Sequence, residues 1–357
     1  MLPKAAEMNM RDFRFAIAGA GSIAHKFADG LTALPGAVFV GAASNTPGRA
    51  EAFVSEYRHV FPHAKAYGSY EELAQDPEID AVYISNLNTQ HATAALLFLR
   101  HRKPVICEKP FALNAKEAAE MIACARENDV FLMEAMWTRF LPVSKKVMKW
   151  LKSGRIGDVI SVAADFGMGL MTSVDRRTVS LEMGGGALLD LGVYPISYLS
   201  MIYGKPPAEI RTIVSKAVTG VDASFEAVLK YGELEGPFSS IMQTAHVSVA
   251  MDRTLTQTMC IIGTAGMIRV RYFFMADSAS LFLLKPDKIG YDEPEEVFAP
   301  AWISNGYQYE AEEVMQMVRE GKKESARMPL DETLSIMRIL DSIRNDWGLI
   351  YPQEKEQ

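Results

Sequence analysis

The turn Gly19-Ala20-Gly21-Ser22-Ile23-Ala24 joins an apolar run at 13–18 to a helical pattern that Pro35-Gly36 ends. No other feature restricts the chain as much, because a strand–glycine–helix junction of this kind opens a βαβ unit. Each small residue in the Gly-x-Gly-x-x-Ala spacing has a physical task. Gly19 permits the tight turn, Gly21 lets a pyrophosphate approach the backbone, and Ala24 allows close helix–strand packing. The first-turn N–H groups, from Ser22 and Ile23 onward, then offer an anion site backed by the helix dipole.

Five further strand signals lie at 37–43, 64–67, 81–85, 104–107 and 130–135. Helix signals at 47–57, from Ser69, at 89–102 and at 114–128 separate them. Ser69 precedes Glu72 at capping-box spacing, and Pro47 suits a first helical turn. Such alternation with short connections predicts a parallel sheet covered on both faces. Beyond about Trp137 the grammar changes. A helix at 143–153, a strand at 159–166 and a helix at 185–203 precede several strand-like runs between 210 and 284, which predict a mainly antiparallel sheet. Two helices, near 309–320 and 330–347, close the chain. The expected class is α/β: an N-terminal Rossmann dinucleotide-binding domain over 1–136, then a C-terminal α+β domain over 137–357 with a large open sheet for substrate binding and dimerisation.

The 357 residues exceed one ordinary core, which supports two domains. A net charge of -7 without a long Lys/Arg cluster argues against a nucleic-acid partner. Apolar runs such as 94–99 are too short to span a membrane, and the first residues carry no secretory signal. Cys107, Cys124 and Cys260 are odd in number and lack zinc spacing, which suits a reducing cytoplasm. No His/Asp/Glu cluster points to a metal, so metal-free chemistry is expected.

The second strand ends in Ala42-Ala43-Ser44-Asn45, without the carboxylate that usually holds the ribose of NAD. Ser44 and Asn45 can donate to a 2′-phosphate, and Arg49 can neutralise it, so NADP is the expected cofactor, with NAD possible. The fifth strand raises a different question, since Ile106-Cys107 runs directly into Glu108-Lys109-Pro110. Burying a lysine there costs free energy unless something pairs with it.

GAGSIA, the strand end Cys107-Glu108-Lys109-Pro110 and the run Gly184-Gly185-Gly186-Ala187-Leu188-Leu189-Asp190-Leu191-Gly192-Val193-Tyr194 together resemble the Gfo/Idh/MocA family of oxidoreductases. The likeness covers essentially the whole chain after the first ten residues. Within the family, the stretches at 66–73 and 131–140 look most like the dimeric dihydrodiol dehydrogenase branch, which also oxidises D-xylose with NADP. The resemblance implies a cis Lys109–Pro110 bond and a Lys109 ammonium aimed at the nicotinamide ribose and the reacting hydroxyl. It makes Tyr194 and Lys109 the acid–base candidates and has Asp190 bind substrate or position Lys109. Asp190 and Tyr194, four apart in a helical segment, share one face. A free phenol titrates near 10, and Lys109 beside Tyr194 is expected to bring it down toward working pH.

Asn88, Glu108 and Pro110 join the expected cofactor contacts, and His91 either joins them or caps a helix. Trp137, as an aromatic wall or as core packing, and Arg139, as a polar handle, are the candidates at the substrate. Arg176 and Arg177 either border the site or sit in a solvated loop, and His246 reads as a strand residue. The reading is an NADP-dependent dehydrogenase for a sugar, polyol or diol. Imine reduction, cofactor recycling and a dinucleotide-sensing protein are the alternatives. A homodimer through the second sheet is implied.

Overall fold

The computed structural model describes residues 11–169, 177–234, 239–285, 290–291 and 293–355. Six short apolar strands form the first sheet: β1 (Phe13–Ala18), β2 (Ala37–Ala43), β3 (Lys65–Tyr67), β4 (Ala81–Ile84), β5 (Val105–Glu108) and β6 (Leu132–Ala135). Their order is β3-β2-β1-β4-β5-β6, with every pairing parallel. All four residues of β4, β5 and β6 are buried, as a sheet with helices on both faces requires. Those helices are α1 (Ser22–Thr32), α2 (Arg49–Tyr57), α3 (Tyr70–Gln75), α4 (His91–Arg100) and α5 (Ala115–Glu127).

Side-chain chemistry sets several of the helix starts. Ser69 Oγ accepts from Glu72 N at 3.0 Å, while Glu72 reaches back to Gly68 N at 2.8 Å instead of to the cap residue. Asn114 Oδ1 accepts from Glu117 N at 2.9 Å. Two boundaries differ from expectation. Helix α2 begins at Arg49, not Pro47, because Gly48 is left-handed at φ 75°. A tight turn at Asn88–Gln90 precedes α4.

The chain then passes through a turn at Trp137–Phe140 and α6 (Pro142–Lys152) into β7 (Val159–Gly167). The second sheet adds β8 (Glu209–Lys216), β9 (Asp222–Glu233), β10 (Met242–Ala250), β11 (Thr258–Gly263), β12 (Gly266–Arg271), β13 (Ser278–Leu283) and β14 (Glu296–Phe298). The order is β14-β13-β12-β11-β7-β10-β9-β8, antiparallel except where β7 meets β10. Its strands alternate buried and exposed residues, so one face packs inward and the other stays open. Helices α7 (Val193–Tyr203), α8 (Gln308–Arg319) and α9 (Leu330–Asp346) complete the chain. The expected helix at 185–203 is in two parts. Leu188–Gly192 forms a wider π-helical turn, and α7 continues from it.

Candidate active site

The C-terminal ends of β1, β4 and β5 meet at one cleft, where ligands of open α/β sheets bind. Its volume is about 610 Å³, within the usual range for small-molecule sites. At its nucleotide end lie Gly19, Gly21, Ser22 and Ile23. Gly19 sits at φ 104°, and a Cβ there would come within 2.5 Å of Asn86 N. Gly21 caps α1 without a side-chain bond, and no acidic residue occupies the first turn. The first-turn N–H groups are therefore left for an exogenous anion. These features fit a dinucleotide pyrophosphate. Ala24 is fully buried behind them and packs rather than contacts the cleft.

Ser44, Asn45 and Arg49 line the same end, with no carboxylate among the lining residues of that loop. Asn88 and His91 stand along one wall. Asn88 Nδ2 donates to Gly184 O at 2.8 Å and so ties the first sheet to the glycine run. His91 is buried, with Nδ1 2.9 Å from Pro110 O. Burial pulls its pKa down to about 4, so the ring is neutral and donates from Nδ1 to that carbonyl. It thereby holds the Lys109–Pro110 turn, whose peptide bond is cis.

At the other end the lysine that follows β5 is paired. Lys109 Nζ donates to Asp190 O at 2.9 Å, lies 3.4 Å from Asp190 Oδ1, and sits 4.9 Å from the centre of the Tyr194 ring. Burial disfavours the ammonium, but Tyr194, Asp190 and Glu108 outweigh it and hold its pKa above the ordinary value. Burial also opposes the Asp190 carboxylate, yet Lys109 and Arg177 keep it below the usual range. Glu108 accepts from Lys109 N at 3.0 Å and from the Tyr83 hydroxyl; burial nonetheless raises its pKa. A fixed cation and a fixed anion thus stand beside a phenol.

The phenol departs from expectation. Burial raises the Tyr194 pKa, and the opposing pull of Lys109 does not cancel it. The family resemblance implies a lysine beside this phenol; it does not give the loss of hydration that wins here. Arg139 also departs. It is 4% exposed and spent on Ser197 Oγ at 2.9 Å, Ser197 O at 2.8 Å and Glu332 at 2.7 Å, so it braces α7 against α9 instead of lining the cleft. Trp137 is one layer back. It stacks on Tyr307, with ring centres 4.8 Å apart, and Tyr307 is the ring that faces the cleft.

Of the two readings open for Arg177, the structure gives the one at the site. Arg177 borders the cleft and lies 3.3 Å from Asp190 Oδ2; Arg176 is outside the described residues. Tyr70, Asn86 and Tyr307 also line it. Asn86 follows β4, so the strand-end rule could have found it; Tyr307 arrives only through the tertiary packing of α8 on α1. His246 lies on the outer face of β10 and is exposed, away from this cleft. No group of three or more His, Cys, Asp or Glu among the described residues could hold a metal, and no described helix is long and apolar enough to cross a membrane.

Comparison with known proteins agrees with this fold. The model of the oxidoreductase family with an NAD-binding Rossmann fold matches residues 13–136, and the GFO/IDH/MocA C-terminal domain matches 144–269. A trans-1,2-dihydrobenzene-1,2-diol dehydrogenase of Danio rerio is 37% identical over 347 residues, covering 96% of this chain and 99% of the relative. The Homo sapiens enzyme of the same name is 35% identical over 348 residues, with the same coverage. Among solved structures, the 3-ketoreductase KijD10 of Actinomadura kijaniata, in complex with NADP and TDP-benzene, superposes with a TM-score of 0.76 at 24% identity, covering 94% of this chain and 98% of that one. An aldose-aldose oxidoreductase of Caulobacter crescentus, complexed with glycerol, gives 0.79 at 20% identity over 95% and 99%. The chain belongs to the Gfo/Idh/MocA family of NAD(P)-dependent oxidoreductases.

Proposed function

We propose that the protein is an NADP-dependent dehydrogenase that moves hydride between a secondary alcohol of a sugar, polyol or trans-dihydrodiol and the nicotinamide. The observation that carries this reading is the convergence of Lys109, Asp190 and Tyr194 at one end of a cleft whose other end is an uncapped helix N-terminus. Dihydrodiol dehydrogenases at 35–37% identity favour a vicinal diol within that class. Residues 1–136 would bind the dinucleotide and residues 137–357 the substrate.

Bound in the cleft, the oxidised dinucleotide supplies the hydride acceptor at C4 of its ring. Lys109 donates a hydrogen bond to the substrate oxygen and fixes it beside Tyr194. In oxidation the Tyr194 phenolate takes the hydroxyl proton as the C–H electron pair leaves the same carbon, which becomes a carbonyl. In reduction the Tyr194 phenol returns that proton to the carbonyl oxygen. Asp190 balances the Lys109 charge and holds its ammonium in place.

Ser44 and Asn45, with Arg49 beside them and no carboxylate, support recognition of a 2′-phosphate. A panel of sugars, polyols and trans-diols run with NADP and NAD in parallel is expected to give kcat/KM at least about tenfold higher with NADP, since a charge-assisted phosphate contact contributes about 1.5–3 kcal/mol. Binding of NADP without turnover of any alcohol would instead support a nucleotide sensor. The open face of the second sheet leaves Ile213 76% and Val228 44% exposed on adjacent strands. A symmetric homodimer would cover them, and sedimentation showing only monomer would reject it. The sparse, unbridged cysteines suit a reducing cytoplasm.

A further inference from the structure

The glycine run that leads into Asp190 and Tyr194 is held from three sides. Asn88 Nδ2 donates to Gly184 O, Tyr351 OH donates to Gly185 O at 2.7 Å, and Asp222 Oδ2 accepts from Leu188 N at 2.6 Å. The fit leaves no room for a methyl group. A Cβ on Gly186 would stand 2.2 Å from Asp222 Oδ1, and one on Gly184 would stand 2.8 Å from Asn88 Oδ1. Gly186 O in turn accepts from Asp190 N at 3.2 Å, so a shift of the run passes directly to Asp190. The intervening π turn is wider than an α-helix, and such turns concentrate at functional sites.

Tyr351 comes from the far end of the chain and is wholly buried. Its segment is fastened at several points. Glu354 accepts from Arg344 at 2.8 Å, from Asn114 Nδ2 at 3.1 Å and from Tyr351 N at 2.8 Å. The Arg344 guanidinium lies 5.0 Å from the Tyr351 ring centre, and Gln353 Nε2 donates to Glu182 O at 2.8 Å. The strap therefore reaches both Glu182, before the glycines, and Gly185 within them.

We infer that Tyr351 is a positioning residue for hydride transfer: the C-terminal strap fixes the glycine run and thereby sets Asp190 and Tyr194 against Lys109. This rests on the catalytic roles proposed above. A displacement of about 1 Å at a reacting group can cost about 100-fold in rate, while among the described residues the strap bonds to Gly185, Glu182, Asn114 and Arg344, none of which lines the nucleotide end of the cleft.

Tyr351→Phe keeps the buried ring and removes only the hydroxyl. It is expected to lower kcat about 10- to 100-fold, with NADP affinity changed less than about twofold. Rates are expressed per folded molecule, counted by NADPH binding. An unchanged kcat, or kcat and NADP affinity falling together as in general loosening, overturns the inference. Gln353→Ala, on the outer part of the strap, provides a second variant should the first fold poorly; it is expected to lower kcat several-fold with the same split, and a wild-type kcat there counts against the strap. Tyr194→Phe run alongside separates the two claims. Wild-type rates in Tyr194→Phe sink the catalytic assignment, whereas a slow Tyr194→Phe beside a normal Tyr351→Phe sinks only the strap.

Discussion

Lys109→Met is expected to lower kcat/KM by about 10³-fold, the scale seen when a donor to a developing oxyanion is removed from a buried site. Methionine retains the length and apolar stem of lysine, so packing beneath Tyr194 survives. Two things are lost. The substrate oxygen loses its cationic donor, and buried Asp190 keeps, among the described residues, Arg177 as its counter-charge. NADP affinity should change little, because the pyrophosphate end depends on the Gly19–Gly21 turn and α1. Steady-state rates together with NADPH fluorescence titration check both halves. A variant that turns over at the wild-type rate would remove Lys109 from the chemistry.

Tyr194→Phe should cost about 10²- to 10⁴-fold, the range for a positioned acid or base, and should also change the pH profile. Burial raises the phenol pKa despite Lys109, so Tyr194 is a neutral phenol near pH 7. Oxidation consumes the phenolate, whose fraction rises with pH up to that raised pKa. The oxidative kcat/KM of the wild type should therefore climb about tenfold per pH unit above neutrality. Reduction consumes the phenol and should stay flat over the same range. Lys109, held above its ordinary pKa, and Asp190, held below its own, keep fixed charges across that window. In Tyr194→Phe the oxidative slope should vanish. A variant that keeps the slope would assign the proton to another group.

The fold was legible because its signals are local. Gly19, the Ser69 and Asn114 caps and the apolar runs of β4 to β6 each carry their instruction within a few residues. Lys109, Asp190 and Tyr194 were brought together by the family resemblance of the strand end and the glycine run, not by signals within a few residues. Arg139 was misread as a substrate handle because it lies just past the C-terminal end of β6, the edge of a parallel sheet where ligands are expected. Its partners Ser197 and Glu332 come from α7 and α9 and pull it into the core. Tyr307 and Tyr351 arrive only through tertiary contacts, which no spacing reveals. The direction of the Tyr194 shift was hidden similarly, since burial depends on everything packed around Phe166 and Phe274 beside it.

The central claim concerns one transfer event, and isotope labelling follows it directly. A trans-diol or sugar deuterated at the reacting carbon is incubated with the protein and NADP, and the recovered dinucleotide is examined by NMR. The account predicts deuterium at C4 of the nicotinamide, on a single face, with almost none when Lys109→Met replaces the wild type. Deuterium retained by the alcohol throughout the panel, although NADP binds, would contradict it.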